Sequence, residues 1–237
     1  MGIALAILCV LAAVQLQGAS LVDLCRQWNE LQVQVRDGKI PKEKAMGKVV
    51  ELHSKLIGVL GTLEMSKKRA FPVEGGSWRD LGGKAKSGFV AKGYDFYHGN
   101  RHGGHPAHDI FIPDRDRNCR SDASGNPVAV RAFASGVVVG INTGWEPGSD
   151  IRGGNYVWVL NPGSELYCYY AHLDEVHVRL GQLLEAGQRL GTVGRSGKNA
   201  YPPRSPTHLH FMCLSFDGGR MTPYDTHREL LSLGWAP

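Results

Sequence analysis

Thr207-His208-Leu209-His210-Phe211 sets two imidazoles two residues apart among apolar neighbours. In an extended strand, residues two apart project from the same face, so His208 and His210 stand side by side while Leu209 and Phe211 turn into a core. Two imidazoles on one face of an apolar strand are costly to bury unless something satisfies them, and a metal ion does so economically. A second cluster lies upstream, His102-Gly103-Gly104-His105-Pro106-Ala107-His108-Asp109, and Ile110-Phe111-Ile112 after it reads as the start of a strand. Asp109 at that strand entrance, one histidine from the preceding Gly-rich loop and one from 207–211 would make the three-ligand set of an open zinc site. Spacing leaves His102, His105 and His108 open as the upstream ligand. His108 is disfavoured, because beside Asp109 in a strand it faces the other way. The helix-borne HExxH pattern is absent.

The neighbouring sequence supplies a sheet for these residues. Val128–Val130, Gly136–Val139, Tyr156–Leu160, Tyr167–Tyr170, Arg189–Val193 and His208–Leu214 are short β-branched or aromatic runs. Breakers such as Gly153-Gly154 and Asn161-Pro162-Gly163 separate them. No regular alternation with long helices is present, so a mostly antiparallel sheet is expected and a parallel α/β sheet is disfavoured. Tyr169-Tyr170-Ala171-His172-Leu173 ends one of the aromatic runs. Beside a zinc site, His172 becomes a candidate for proton transfer or for stabilising developing negative charge. Of the ten histidines, His53, His98, His177 and His227 have no such company and read as surface or structural.

The chain before the sheet is of another kind. Ile3 to Val14 is almost purely apolar, and Gly18-Ala19-Ser20 follows at a plausible cleavage point, so residues 1–20 read as a signal peptide. Residues 21–68 read as a helical hairpin or pro-segment. Leu21, Leu24, Trp28 and Leu31 recur at helical spacing, Asp37-Gly38 breaks the pattern, and Val49, Leu52, Leu56, Val59, Leu60 and Leu63 form a second apolar stripe. Residues 69–101, rich in Gly, Lys and aromatics, read as a linker with irregular strands. Removal of 1–20 would leave Cys25, Cys119, Cys168 and Cys213, an even count that permits disulfides in an exported chain, with a pair expected among the last three. With 237 residues, 42% hydrophobic, 21% charged and a net charge of +5, the chain is long enough for one core plus an appendage. The mild positive charge suits any polyanion, and no Lys/Arg run singles out nucleic acid.

Three motifs in order, His105-Pro106-Ala107-His108-Asp109, Tyr170-Ala171-His172-Leu173 and His208-Leu209-His210-Phe211, resemble those of the lysostaphin and LytM-type peptidases, the M23 metallopeptidases. Gly153-Gly154-Asn155-Tyr156-Val157 and Gly187-Gln188-Arg189-Leu190-Gly191 are also similar to stretches of that family, and the resemblance spans about residues 102–225. It implies a LytM-type peptidase domain over 102–237. The fold would be mainly β, an antiparallel sheet or sandwich with an N-terminal helical segment, α+β overall. It further implies one Zn²⁺ held by His105, Asp109 and His210, which selects His105 among the three upstream histidines. His208 would act as base toward water and His172 would hydrogen-bond the oxyanion. The implied substrate is a peptide of bacterial peptidoglycan, cut at a stem-peptide crosslink or bridge by a secreted or periplasmic protein. No nucleic-acid partner or stable membrane insertion is expected, and the helical segment could engage a protein partner. The rival expectation is a zinc-stabilised binding or regulatory module of the same fold that does not catalyse. Two departures stand out. Pro106 and Ala107 occupy positions where the family often has Gly, and a polar insertion over 113–120 is expected at the rim of a substrate groove.

Overall fold

The computed structural model describes residues 21–83 and 87–234; the expected signal peptide over 1–20 lies outside them. Residues 21–36 form helix α1, and Lys42–Leu60 form α2. Gly38, at φ 67°, makes the turn between them in the left-handed region that asparagine and glycine tolerate best. The second helix ends at Leu60, and its buried stripe is Ala45, Val49, Leu52, Leu56 and Leu60. Leu63 falls beyond the last turn and is exposed, so the expected stripe is one residue too long at that end.

Among the described residues nine strands follow in one antiparallel sheet: β1 (His108–Phe111), β2 (Ala129–Arg131), β3 (Gly136–Asn142), β4 (Asn155–Asn161), β5 (Leu166–Val176), β6 (Leu183–Leu184), β7 (Arg189–Val193), β8 (His208–Asp217) and β9 (Arg220–Tyr224). Helix α3 (His227–Leu233) closes the described chain. The main order is β1-β8-β5-β4-β3-β6; β9 also pairs with β8, and β2 and β7 pair with each other. The two short strands β6 and β9 carry no long apolar alternation, and they take their place by pairing with β3 and β8. Residues 69–83 and 87–105 meet the sheet through isolated bridges, Arg69 to Ala134, Val73 to Val130, Leu81 to Ile110 and Val90 to His105. Cys168 and Cys213 face each other across β5 and β8 and are joined as a disulfide, while Cys25 and Cys119 are free.

Cross-strand register decides which residues share a face. Asp109 lies opposite His210, His210 opposite Ala171, and Ala171 opposite Tyr156. The next row aligns Met212, Tyr169 and Trp158. This is the face that α1 and α2 cover: Trp28, Leu31, Val35, Leu56 and Leu60 join Trp158, Tyr167, Met212 and Leu214 in one core. Trp28 stacks on Tyr167 with centroids 5.2 Å apart and meets Trp158 edge-on at 5.7 Å. The opposite face carries a second core, in which Leu209, Phe211, Tyr170 and Leu173 pack against Phe133, Leu190 and Val193.

His53 joins α2 to the sheet. It is buried, stacks on Phe216, and places Nδ1 3.0 Å from the Tyr167 hydroxyl and Nε2 3.2 Å from Glu165. Burial lowers its pKa below the ordinary 6.5, and the Glu165 carboxylate opposes that shift without cancelling it. Between the folded and unfolded pKa values the unfolded chain binds more protons. The stability from this site is therefore present above about 6.5 and is lost as pH falls through the folded value. Urea unfolding at about pH 7.5 and about pH 5 should show a smaller pH effect in His53→Gln than in the wild type. Equal effects in both proteins would remove His53 from this account.

Candidate active site

One loop and two strands, β5 and β8, bring the histidines together, and β1 adds Asp109. His105 Nε2 lies 3.3 Å from Asp109 Oδ1, and His210 Nδ1 lies 3.0 Å from the same oxygen. One ligand atom from each of His105, Asp109 and His210 falls within 4.8 Å of the others. His105 is fixed from behind, since its Nδ1 donates to the Gly88 carbonyl at 3.0 Å and its backbone exchanges two 2.8 Å hydrogen bonds with Val90. A carbonyl can only accept, so Nδ1 carries a proton; Nε2 donates to Asp109 when the ring is protonated and offers its lone pair on the same side once that proton is lost. Burial alone would raise the Asp109 carboxyl; hydrogen bonds from His105 and His210 override this and hold it well below the usual carboxylate range. The same hydrogen bond to Asp109 raises the His105 pKa, whereas burial lowers that of His210. Two imidazole nitrogens and one ionised carboxylate are the donor set of an open tetrahedral metal site, and these residues fit such an ion.

His208 and His172 flank this triad without belonging to it. Their rings lie 5.0 Å apart, and His172 lies 5.5 Å from the His210 ring. Each donates from Nδ1 to a backbone carbonyl at 2.8 Å, His208 to Pro206 and His172 to Ser196. Both therefore present Nε2 as the free nitrogen. Burial holds the His172 pKa well below its ordinary value, and the neighbouring His208 and His210 rings push the same way. His172 also has φ 64°, a left-handed conformation that is strained for a side chain bearing Cβ. Its backbone N–H donates to Gly153 O at 2.9 Å. At Gly153 an added Cβ would lie 1.9 Å from the Tyr169 hydroxyl, so only glycine lets that turn approach the strand.

The remaining upstream histidines do not join the triad, although His102 lines the same cavity. His108 is buried on the other face, between Ser87 O at 2.7 Å and Asp225 at 3.0 Å. His102 turns its Nδ1 to Gly103 O and packs edge-on against Tyr94. The polar insertion over 113–120 is not among the residues that line the cavity described below. Its Asp114 accepts from Asn118 N, Cys119 N and the Thr207 hydroxyl, anchoring the loop beside His208. Asp116 and Asp122 gather near Asp114 in the same loop.

A cavity of about 300 Å³ opens over the site. His105, Asp109, His172, His208 and His210 form one end, and Gln32, Val35 and Arg36 of α1 form another wall, with Arg152, Tyr156 and Tyr169 between them. Tyr156 and Tyr169 fall in stretches already singled out in the sequence, whereas Gln32, Val35, Arg36 and Arg152 carry no motif, and nothing in the sequence says that α1 and the sheet border one cleft.

Residues 121–223 match the profile of peptidase family M23. This segment of the chain belongs to that family. The M23 match takes in His172, His208 and His210 but begins after His105 and Asp109, whose place beside them comes from the pairing of β1 with β8. Over 111 residues the chain is 31% identical to lysostaphin of Staphylococcus staphylolyticus, covering 47% of this chain and 21% of that protein. It is 30% identical over 111 residues to the glycyl-glycine endopeptidase ALE-1 of Staphylococcus capitis, covering 27% of that protein. The chain thus spans between a fifth and about a quarter of the length of these M23 relatives. The catalytic domain of lysostaphin from Staphylococcus simulans superposes with a TM-score of 0.40 at 25% identity, over 61% of this chain and 87% of that one.

Proposed function

We propose that this chain is a zinc-dependent endopeptidase that hydrolyses peptide bonds of bacterial peptidoglycan. The observation that carries this reading is the pair His172 and His208, two imidazoles with free Nε2 atoms set beside a His-Asp-His cluster that they do not join. A zinc-stabilised module that only binds has no use for such a pair. His105 Nε2, Asp109 and His210 Nδ1 would hold the ion, which when bound supplies Lewis acidity toward a carbonyl and lowers the pKa of water.

The protein's own groups then divide the proton work. His208 Nε2 takes the proton of the attacking water, its Nδ1–H remaining on Pro206 O throughout. The resemblance to the family assigns His172 to the oxyanion, but the tautomer fixed by Ser196 alters that part. Nε2 of His172 donates only when the ring carries both protons, and its burial keeps the ring neutral. In the resting site His172 therefore accepts a hydrogen bond and orients the water together with His208. The cavity walls exclude bulk solvent from one side of both rings.

Lysostaphin and the glycyl-glycine endopeptidase ALE-1 support a wall peptide as substrate, and secretion or a periplasmic location follows from that substrate. Among the described residues no helix is long and apolar enough to cross a membrane. Incubating the zinc-loaded full chain with purified peptidoglycan should release new amino termini, and a chelator should stop the release. Metal bound at one equivalent without any release would favour the non-catalytic module.

A further inference from the structure

One charged group in the cleft has no part in the chemistry above. Arg152 lines the cavity with His105, His172 and His210. Its Nη1 donates to Asn100 O at 3.3 Å and His102 O at 3.0 Å, and among the described residues no carboxylate pairs with it. Arg36, on the α1 wall, differs: Asp37 grips its guanidinium at 2.7 and 3.2 Å, and Tyr156 accepts from it at 3.0 Å. Asp109, the one carboxylate lining the cavity, is held by two histidines. The uncompensated charge of the cleft is therefore the Arg152 cation. Neutral carbonyls occupy one of its nitrogens and leave Nε and Nη2 as donors.

The turn that carries it is fixed. Lys198 N donates to Ile151 O at 3.1 Å, and the Ser196 hydroxyl accepts from Asn155 N at 2.8 Å. Gly197, at φ 105°, would bring a Cβ within 2.4 Å of Arg152 O, so the two turns seat against each other without room for a side chain. A guanidinium held by its own backbone and by two carbonyls is organised for a ligand before the ligand arrives.

We propose that Arg152 forms a carboxylate subsite, so that the cleft takes peptides bearing a free carboxylate close to the bond to be cut. A planar guanidinium with two free donor positions matches a carboxylate in charge and shape. The inference rests on the peptidase reading and narrows its substrate class to acid-bearing peptides. A run of glycine offers no carboxylate between its ends.

Stem-peptide fragments in three forms test this: terminal carboxylate free, side-chain carboxylate free with the terminus amidated, and both amidated. Calorimetric titration of the metal-free full chain keeps the carboxylate from reading the ion instead of the arginine. One acid form should bind about 10- to 100-fold more tightly than the diamide, and which one does so identifies the source of the carboxylate. Arg152→Met should bring that ratio close to one, and Arg152→Lys should retain part of it. In the zinc-loaded protein the same ratio should appear in KM rather than kcat. Equal binding of all three forms, or a preference that survives in a folded Arg152→Met, overturns the proposal. Arg152-dependent binding without cleavage leaves the subsite standing and removes the peptidase reading. Cleavage of all three forms at equal efficiency does the reverse.

Discussion

His210→Ala is expected to lose both bound zinc and cleavage, with activity falling to background, on the order of 10⁶-fold or more. Of the three proposed ligands His210 is the most deeply set, on β8 between β1 and β5, directly opposite Asp109 and Ala171. Its removal leaves His105 and Asp109, too few protein ligands for an open zinc site. The Asp109 carboxylate also loses one of the two hydrogen bonds that hold it ionised. Metal content by atomic absorption and released amino termini check the two halves of this result. Full zinc occupancy in the variant would show that the ion is held elsewhere.

His208→Ala should separate what His210→Ala removes together. The ring lies 3.8 Å from Asp109 Oδ1, yet its Nδ1 is committed to Pro206 and it stands outside the ligand cluster. Zinc should remain at one equivalent while kcat drops by about 10²- to 10⁴-fold, the usual contribution of a positioned general base. A variant that loses the metal would exchange the roles assigned to His208 and His210. His208 is buried between Phe111 and His172, so circular dichroism and the unfolding midpoint should accompany the kinetics.

Much of this site was legible in the sequence because period-two geometry is strict. Once residues 207–211 are read as a strand, His208 and His210 must share a face, and His108 must turn away from Asp109. The choice of His105 over His102 was not available from spacing. It depends on the Val90 bridge and the Gly88 carbonyl, contacts made by a loop some fifteen residues upstream in an irregular part of the chain. Arg152 was invisible for a related reason. Its place in the cleft follows from two turns meeting through Gly153, Gly154 and Gly197, and a glycine in a sequence announces a turn without naming what approaches it. The tautomers of His172 and His208 were hidden too, since they are set by carbonyls of Ser196 and Pro206.

The helical hairpin shows the same limit. Its stripes identify which side of each helix is buried, but amphipathicity does not say against what. It covers the sheet face that also carries His210, and α1 contributes Gln32, Val35 and Arg36 to the cleft wall. Docking of the hairpin and occupancy of the cleft are therefore linked equilibria. A ligand that touches both walls tightens the hairpin by the same free energy that the docked hairpin adds to the ligand's affinity. Amide protons of α1 should then exchange more slowly when the cleft is filled, which makes the N-terminal helices a reporter of events at the histidines.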